Sequence, residues 1–303
     1  MVTMPDTRAP RLIAIGETMA LVTPAHAEAL ATAQEVRLLI GGAESNVAIH
    51  AAHLGIPTAW ISAVGRDALG TRVRDEIARH GVDVGWVFAD PAAPTGVYFK
   101  DPGNGVLYYR RGSAASAMSP ATIAAVPLEQ ADLVHVSGIT PALSHSCAAL
   151  IDTVFDRVGA GSGILSFDVN HRAALWAPGV AAPSLLALAR RADVVFVGLD
   201  EAEGLWGTAD ADAVRALIPG PQLLVVKDGD VGATEFHRTD GGDERTFVPA
   251  IETEVVEAVG AGDAFAAGYL AAHLHGAGAM ERLVAGHHRA HLVLQSTADL
   301  LPG

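Results

Sequence analysis

Short, almost wholly apolar runs recur along the chain, each followed by a longer stretch in which polar positions interrupt the hydrophobic ones. The runs at 11–17 (RLIAIGE), 58–65 (TAWISAVG), 132–138 (DLVHVSG), 163–170 (GILSFDVN), 192–198 (ADVVFVG) and 222–229 (QLLVVKDG) read as buried strands. The intervening stretches predict helices over 43–55 and 68–81, each closed by glycine, and around 144–158, 183–191 and 200–217. TGVYFKD and VLYYRRG flank a Pro/Gly/Asn turn at 101–105 and predict a hairpin, whereas the segment up to Ile40 is ambiguous. The most apolar long stretch, 264–280, contains His273, His275 and three glycines, so a buried helix suits it better than a bilayer span. Alternation of strand and helix implies βαβ units and a largely parallel sheet covered by helices. No linker, low-complexity tract or repeat interrupts it, which predicts one domain over 1–303 with the hairpin near 95–110 standing off the sheet.

Composition narrows the chemistry. The chain has 303 residues, half of them hydrophobic, and a formal net charge of -14. An acidic surface has no general attraction for nucleic acid or anionic membrane, so neither is an expected partner. An anionic ligand must then be gripped locally, by arginine or by backbone N–H groups. The only lysines are Lys100 and Lys227, and neither follows a glycine, so a P-loop is absent. One cysteine, Cys147, excludes an internal disulfide, and the polar N-terminus shows no secretion signal. The expected address is the cytoplasm.

The strongest local signal is VGAGDAFAAGYLAAHL from Val259. Gly260, Ala261 and Gly262 open a helix whose first N–H groups lack intrahelical acceptors, which makes an anion site. Asp263 in the first turn is placed to take a proton from a hydroxyl, although the same pattern also reads as a plain N-cap. GGAESN pairs Gly41 and Gly42 with Asn46, a close-approach turn before a helix or simply a helix start. DVNHRAALW follows a strand, where α/β proteins place ligand contacts, and holds Asn170 and Arg172. In the hairpin, alternation puts Tyr108 and Arg110 on one face, a combination suited to a carboxylate or polyol. His287, His288 and His291 form HHxxH, which lacks the glutamate of a zinc-protease motif and reads as a solvated helix face.

Together these signals resemble the ribokinase-like, pfkB-type carbohydrate kinases. GGAESNVAIHAAHLG, VGRDALG and GVDV look like the family's N-terminal signature, and VGAGDAFAAGYL looks like its C-terminal one. GETMALVTP, YYRRGSAAS, VSGITPAL and DVNHRAALW bring the chain nearest to the 2-keto-3-deoxygluconate kinases. Leu21 stands where fructokinases and ribokinases commonly carry an acidic sugar ligand, which favours a keto-deoxy acid.

The resemblance implies a three-layer α/β sandwich with a mainly parallel central sheet, and a small β-lid from about 18–40 and 95–112. It implies transfer of the ATP γ-phosphoryl group to a primary hydroxyl, with Asp263 as base and Gly260–Asp263 as anion hole. Sugar contacts carry over to Gly41, Gly42, Asn46, Tyr98, Tyr108, Arg110, Ile139 and Arg172. Nucleotide contacts carry over to Lys227, Gly229, Gly232, Gly260, Gly262 and His287, and Glu201 would act on Mg2+ through water. A homo-oligomer formed through the lid is expected, and dependence on a monovalent cation stays open. Three positions depart from the family pattern: Glu257 replaces an Asp, Gly198 replaces the Asn of N-x-x-E, and His287 replaces a frequent Asn. The alternatives are a kinase for fructose or another ketose, and a non-catalytic sugar or nucleotide sensor.

Overall fold

The computed structural model describes residues 10–295. The ends of the expected domain, and the polar stretch 1–9 read as carrying no secretion signal, lie outside the described residues. In chain order the first strands are β1 (Leu12–Ile15), β2 (Met19–Pro24), β3 (Val36–Gly41), β4 (Thr58–Ile61), β5 (Ala63–Gly65), β6 (Phe88–Asp90), β7 (Val97–Asp101) and β8 (Gly105–Tyr109). They are followed by β9 (Leu133–Ser137), β10 (Ile164–Asp168), β11 (Val194–Gly198), β12 (Leu223–Asp228), β13 (Gly232–Thr239) and β14 (Gly242–Pro249). The helices are α1 (Ala43–His53), α2 (Ala68–Arg79), α3 (Thr140–Leu143), α4 (His145–Gly159), α5 (Ala181–Ala189), α6 (Leu199–Trp206), α7 (Ala211–Leu217), α8 (Ala261–Leu274) and α9 (Ala279–Leu294).

The central sheet runs β14-β13-β12-β11-β10-β9-β1-β4. From β4 to β12 the neighbours are parallel, and β13 and β14 close the far edge as an antiparallel pair. Alternation along each central strand feeds two cores. Ile13, Ile15, Val195 and Val197 face the layer holding α4 and α5, whereas Leu12, Ala14, Val194 and Phe196 face α1 and α8. This explains why those strands read as unbroken apolar runs: both faces are covered. Residues Ala264–Ala271 of α8 are all buried, in keeping with a helix that is apolar all round.

A second sheet, β3-β2-β7-β8, stands apart from the first. Its strands fall within 18–41 and 97–109, closely matching the segments expected to form a lid, and it packs around its own small cluster of Met19, Leu21 and Tyr98.

Several elements differ from the sequence reading. The run 58–65 is two strands, because β5 leaves the central sheet to pair with β6. The stretch 200–217 is two helices, broken where Gly207 takes a left-handed φ of 69° and Asp210 caps the next helix on Ala213. The apolar stretch 264–280 is a buried helix through most of α8, then a turn at Gly276 (φ 81°) and the start of α9. The β13–β14 hairpin was not anticipated; the exposed polar face of GDERTFVP hides its alternation.

Candidate active site

The carboxyl ends of β10 and β12 bring Asp168, Asn170 and Lys227 to the N-terminus of α8, in the region where open α/β sheets receive ligands. Gly260 caps α8 with φ 84°, a conformation that L side chains resist, and so lets the chain turn sharply into the helix. Asp263 follows in the first turn. Asn46 Nδ2 donates to its Oδ2 at 2.9 Å and Asn170 Nδ2 to its Oδ1 at 3.4 Å. Burial pushes the Asp263 carboxyl up to about 7; the Asn46 hydrogen bond opposes the rise, Asp168 adds to it, and Arg172 and Lys227 oppose it. A carboxylate fixed by two amides, with a pKa near neutrality, has the chemistry that a general base requires.

Asn170 has φ 36°, the one positive φ outside glycine among the described residues, and its N–H donates to Asp168 Oδ1 at 3.1 Å. Such backbone strain is typical of functional positions. Asp168, at the end of β10, is buried and receives Lys227 Nζ at 3.1 Å. Burial alone would lower the Lys227 pKa, but Asp168 and Glu201 outweigh it and raise the pKa, so the ammonium stays charged. Glu201 has both oxygens engaged, Oε1 by the His171 N–H at 2.8 Å and Oε2 by the Gly198 N–H at 2.9 Å. Burial and the neighbouring Asp168 push its pKa up.

Across from this centre lies the small sheet. A Cβ on Gly41 would run into the Tyr98 hydroxyl, and a Cβ on Gly42 would collide with the Glu17 carbonyl. Tyr98 stacks on Tyr108 with centroids 5.7 Å apart, and the Arg110 guanidinium lies 5.0 Å from the Tyr108 centroid. Arg110 also pairs with buried Glu17, Nε to Oε2 at 2.9 Å, while Ser113 Oγ donates to Glu17 Oε1 at 3.0 Å. Ile139 sits past β9 and opens α3. Lys100 of β7 bridges at 3.3 Å to Glu257, on the loop leading into α8, and so ties the small sheet to that loop.

Of the residues expected from sequence, Asn46, Arg172, Lys227, Glu201 and the Gly260–Asp263 turn converge on one centre. Tyr98, Tyr108 and Arg110 gather on the small sheet beside Gly41 and Gly42. Lys227, Gly229, Gly232, Gly262 and His287 line a cavity of about 530 Å³. Two of them already have partners within the protein: Arg110 pairs with Glu17, and the Lys227 ammonium rests on Asp168. The sequence reading also passed over Asp168, Glu17 and Glu44. Glu44 is fully buried, and its Oε1 accepts from Ser137 N, Ser137 Oγ and Thr140 Oγ1 at 3.2, 2.7 and 3.0 Å, tying α1 to the end of β9. The available signal was an acid directly after an apolar strand or a Gly-Gly turn. Among the described residues no cluster suits a protein-only metal site, and HHxxH forms none. No described helix is long and apolar enough to cross a membrane.

A helix N-terminus with a buried carboxylate in its first turn, at the carboxyl end of a parallel sheet, is an arrangement suited to phosphoryl- or acyl-transferring α/β proteins. The chain matches the pfkB family of carbohydrate kinases over residues 9–301, and it belongs to that family. It is 33% identical over 299 residues to the 2-dehydro-3-deoxygluconokinase of Bacillus subtilis, covering 95% of this chain and 90% of that protein. It is 31% identical over 268 residues to the 2-dehydro-3-deoxygalactonokinase of Haloferax volcanii, covering 86% and 83%. Its fold superposes on the PfkB protein of Polaromonas sp. JS666 with a TM-score of 0.88 at 32% identity, covering 96% and 97% of the two chains. The protein is a carbohydrate kinase with the ribokinase-like fold.

Proposed function

We propose that this kinase phosphorylates the primary hydroxyl of a 2-keto-3-deoxy sugar acid, 2-keto-3-deoxygluconate, using ATP. The observation that carries the reading is Asp263, held by Asn46 and Asn170 at the mouth of the α8 N-terminus. Asp263 takes the hydroxyl proton as the sugar oxygen bonds to the γ-phosphorus and the bond to ADP breaks. The α8 N–H groups and Lys227 offset the charge on the transferring group. Asn46 Oδ1 is buried and lacks a hydrogen-bond partner within the protein, which suits it to accept from a sugar hydroxyl.

Mg2+ fits this centre through water. Asp168 and Glu201 are carboxylates whose direct bonds are taken by Lys227 and backbone N–H groups, so they would hold metal-bound water while the phosphates hold the ion. The bound ion would supply counter-charge to the triphosphate.

The keto-deoxy acid is favoured by Arg110 and Arg172 near the sugar site and by the names of the two relatives. A second reading, a ketose kinase, draws on the Glu17 countercharge at Arg110, which weakens that arginine's pull on a carboxylate. Phosphorylation assays over 2-keto-3-deoxygluconate, its galacto epimer, fructose and ribose decide between them. Higher kcat/KM for fructose than for either acid would reject the acid reading, and absence of turnover on any sugar would favour a sensor. The exposed strand β8, an edge of the small sheet, supports pairing with a second copy, which sedimentation of the intact protein would test.

A further inference from the structure

We propose that His291 is a specificity-determining residue for the nucleotide. Its imidazole accepts a hydrogen bond from the 6-amino group of adenine, and the cavity thereby discriminates against 6-oxopurines. This rests on the reading that the 530 Å³ cavity takes the nucleoside end of ATP. Lys227 and Gly262 mark its phosphate end, beside Asp263, whereas His287, Ala290, His291 and Leu294 line it from α9.

Hydrogen-bond accounting fixes the tautomers. Thr253 Oγ1 lies 2.7 Å from the Ile251 carbonyl oxygen and 2.6 Å from His291 Nδ1. A carbonyl only accepts, so it takes the single hydroxyl proton. The contact with His291 is then Nδ1–H donating to the hydroxyl oxygen, and in the neutral ring Nε2 carries a lone pair. His287 follows the same logic. Its Nε2 lies 3.1 Å from the Val248 carbonyl and must donate, which leaves Nδ1 as an acceptor. Burial lowers the His287 pKa and keeps that ring neutral.

Residues 287 and 291 are four apart on α9 and share a helix face. The α9 wall of the cavity thus carries two imidazoles, each left with one acceptor nitrogen by this accounting, beside Phe265, Ala290 and Leu294, which would give a flat base apolar contact. Adenine brings a donor at position 6. A 6-oxopurine brings lone pairs there, so acceptor would face acceptor. Hypoxanthine is the cleaner probe than guanine, because guanine's 2-amino group adds a donor for Asp230 or Glu252 on the same wall.

The test is calorimetric titration of the full-length protein with ADP and with IDP, with Mg2+ at pH 8. ADP should bind about tenfold or more tighter than IDP, the scale of one hydrogen bond gained and one acceptor clash avoided. His291→Phe keeps the ring and removes both nitrogens, so the ratio should shrink to about threefold or less. Thr253→Val leaves the imidazole in place but frees its tautomer, and should shrink the ratio as well, while Thr253→Ser preserves it. Equal binding of ADP and IDP by the wild type, or an undiminished ratio in His291→Phe, would overturn the inference with the nucleotide reading intact. Binding of neither nucleotide would overturn the reading of the cavity itself.

Discussion

A carboxyl group that takes a proton from an alcohol works best when its pKa lies near the ambient pH, and burial pushes Asp263 to about 7. Below that value the base is protonated, so kcat/KM should fall about tenfold per pH unit on the acid side, as a pH–rate profile would register. Replacing Asp263 by Asn should lower kcat about 10²–10⁴-fold. Stability should move the other way. The folded protein binds this proton more tightly than the unfolded chain, where the carboxyl titrates near 3.8, so stability falls as pH rises from about 4 to 7. The Asn variant should therefore melt above wild type at pH 8 and lose that advantage near pH 4. A wild-type kcat in Asp263→Asn would return the residue to a helix cap. Arg110 is a harder case, because Arg110→Ala also strands buried Glu17. The single variant should lose about ten- to hundredfold in kcat/KM on the sugar acid and also melt earlier. Glu17→Gln with Arg110→Ala should recover the melting temperature but not the acid activity. Recovery of both would make Arg110 structural.

At the scale of elements, the turn into α8 does what no single side chain can. Gly260 at φ 84° turns the chain into the helix and seats Asp263 among Asn46, Asn170 and Lys227. Alanine at this φ costs about 1–2 kcal/mol and shifts the turn. Gly260→Ala should thus lower kcat more than it raises KM for the sugar, since the hole serves the transition state. Steady-state kinetics check the split; an effect on KM alone would place the turn in sugar binding. The α6 N-terminus plays a different part. With Asn lost at Gly198, Glu201 caps its own helix through the Gly198 N–H and also holds the His171 N–H, anchoring the segment that carries Asn170 and Arg172.

For the whole molecule, the relevant quantity is charge. A protein of net charge -14 must bind a triphosphate and, on the proposed reading, a carboxylate. Lys227, one of only two lysines, is itself shared between Asp168 and Glu201, so little positive charge is left for ATP. Divalent cation should be indispensable: EDTA should abolish turnover and added Mg2+ restore it. Full activity in EDTA would mean that the protein alone neutralises the phosphates. The Lys100–Glu257 bridge joins the small sheet to the loop leading into α8.

Local patterns were sufficient for the central parallel strands, for α1, α2, α4, α5 and α8, and for the Gly260–Asp263 turn. Burial on both faces leaves an apolar run, and a glycine turn before an apolar helix leaves a fixed short string. The division of 58–65 into β4 and β5, and the pairing of β13 with β14, depended on partners distant in the chain, to which local periodicity is blind. The same limit applied to charge. In the sequence Arg110 is a cation in a hairpin and Lys227 a strand-end lysine; only the fold sets Glu17 beside the first and Asp168 beside the second. Residue type states which charges and hydrogen-bonding groups exist. Tertiary structure decides which of them are already paired and which remain for a ligand, because pairing is set by distances between segments that the chain itself keeps far apart.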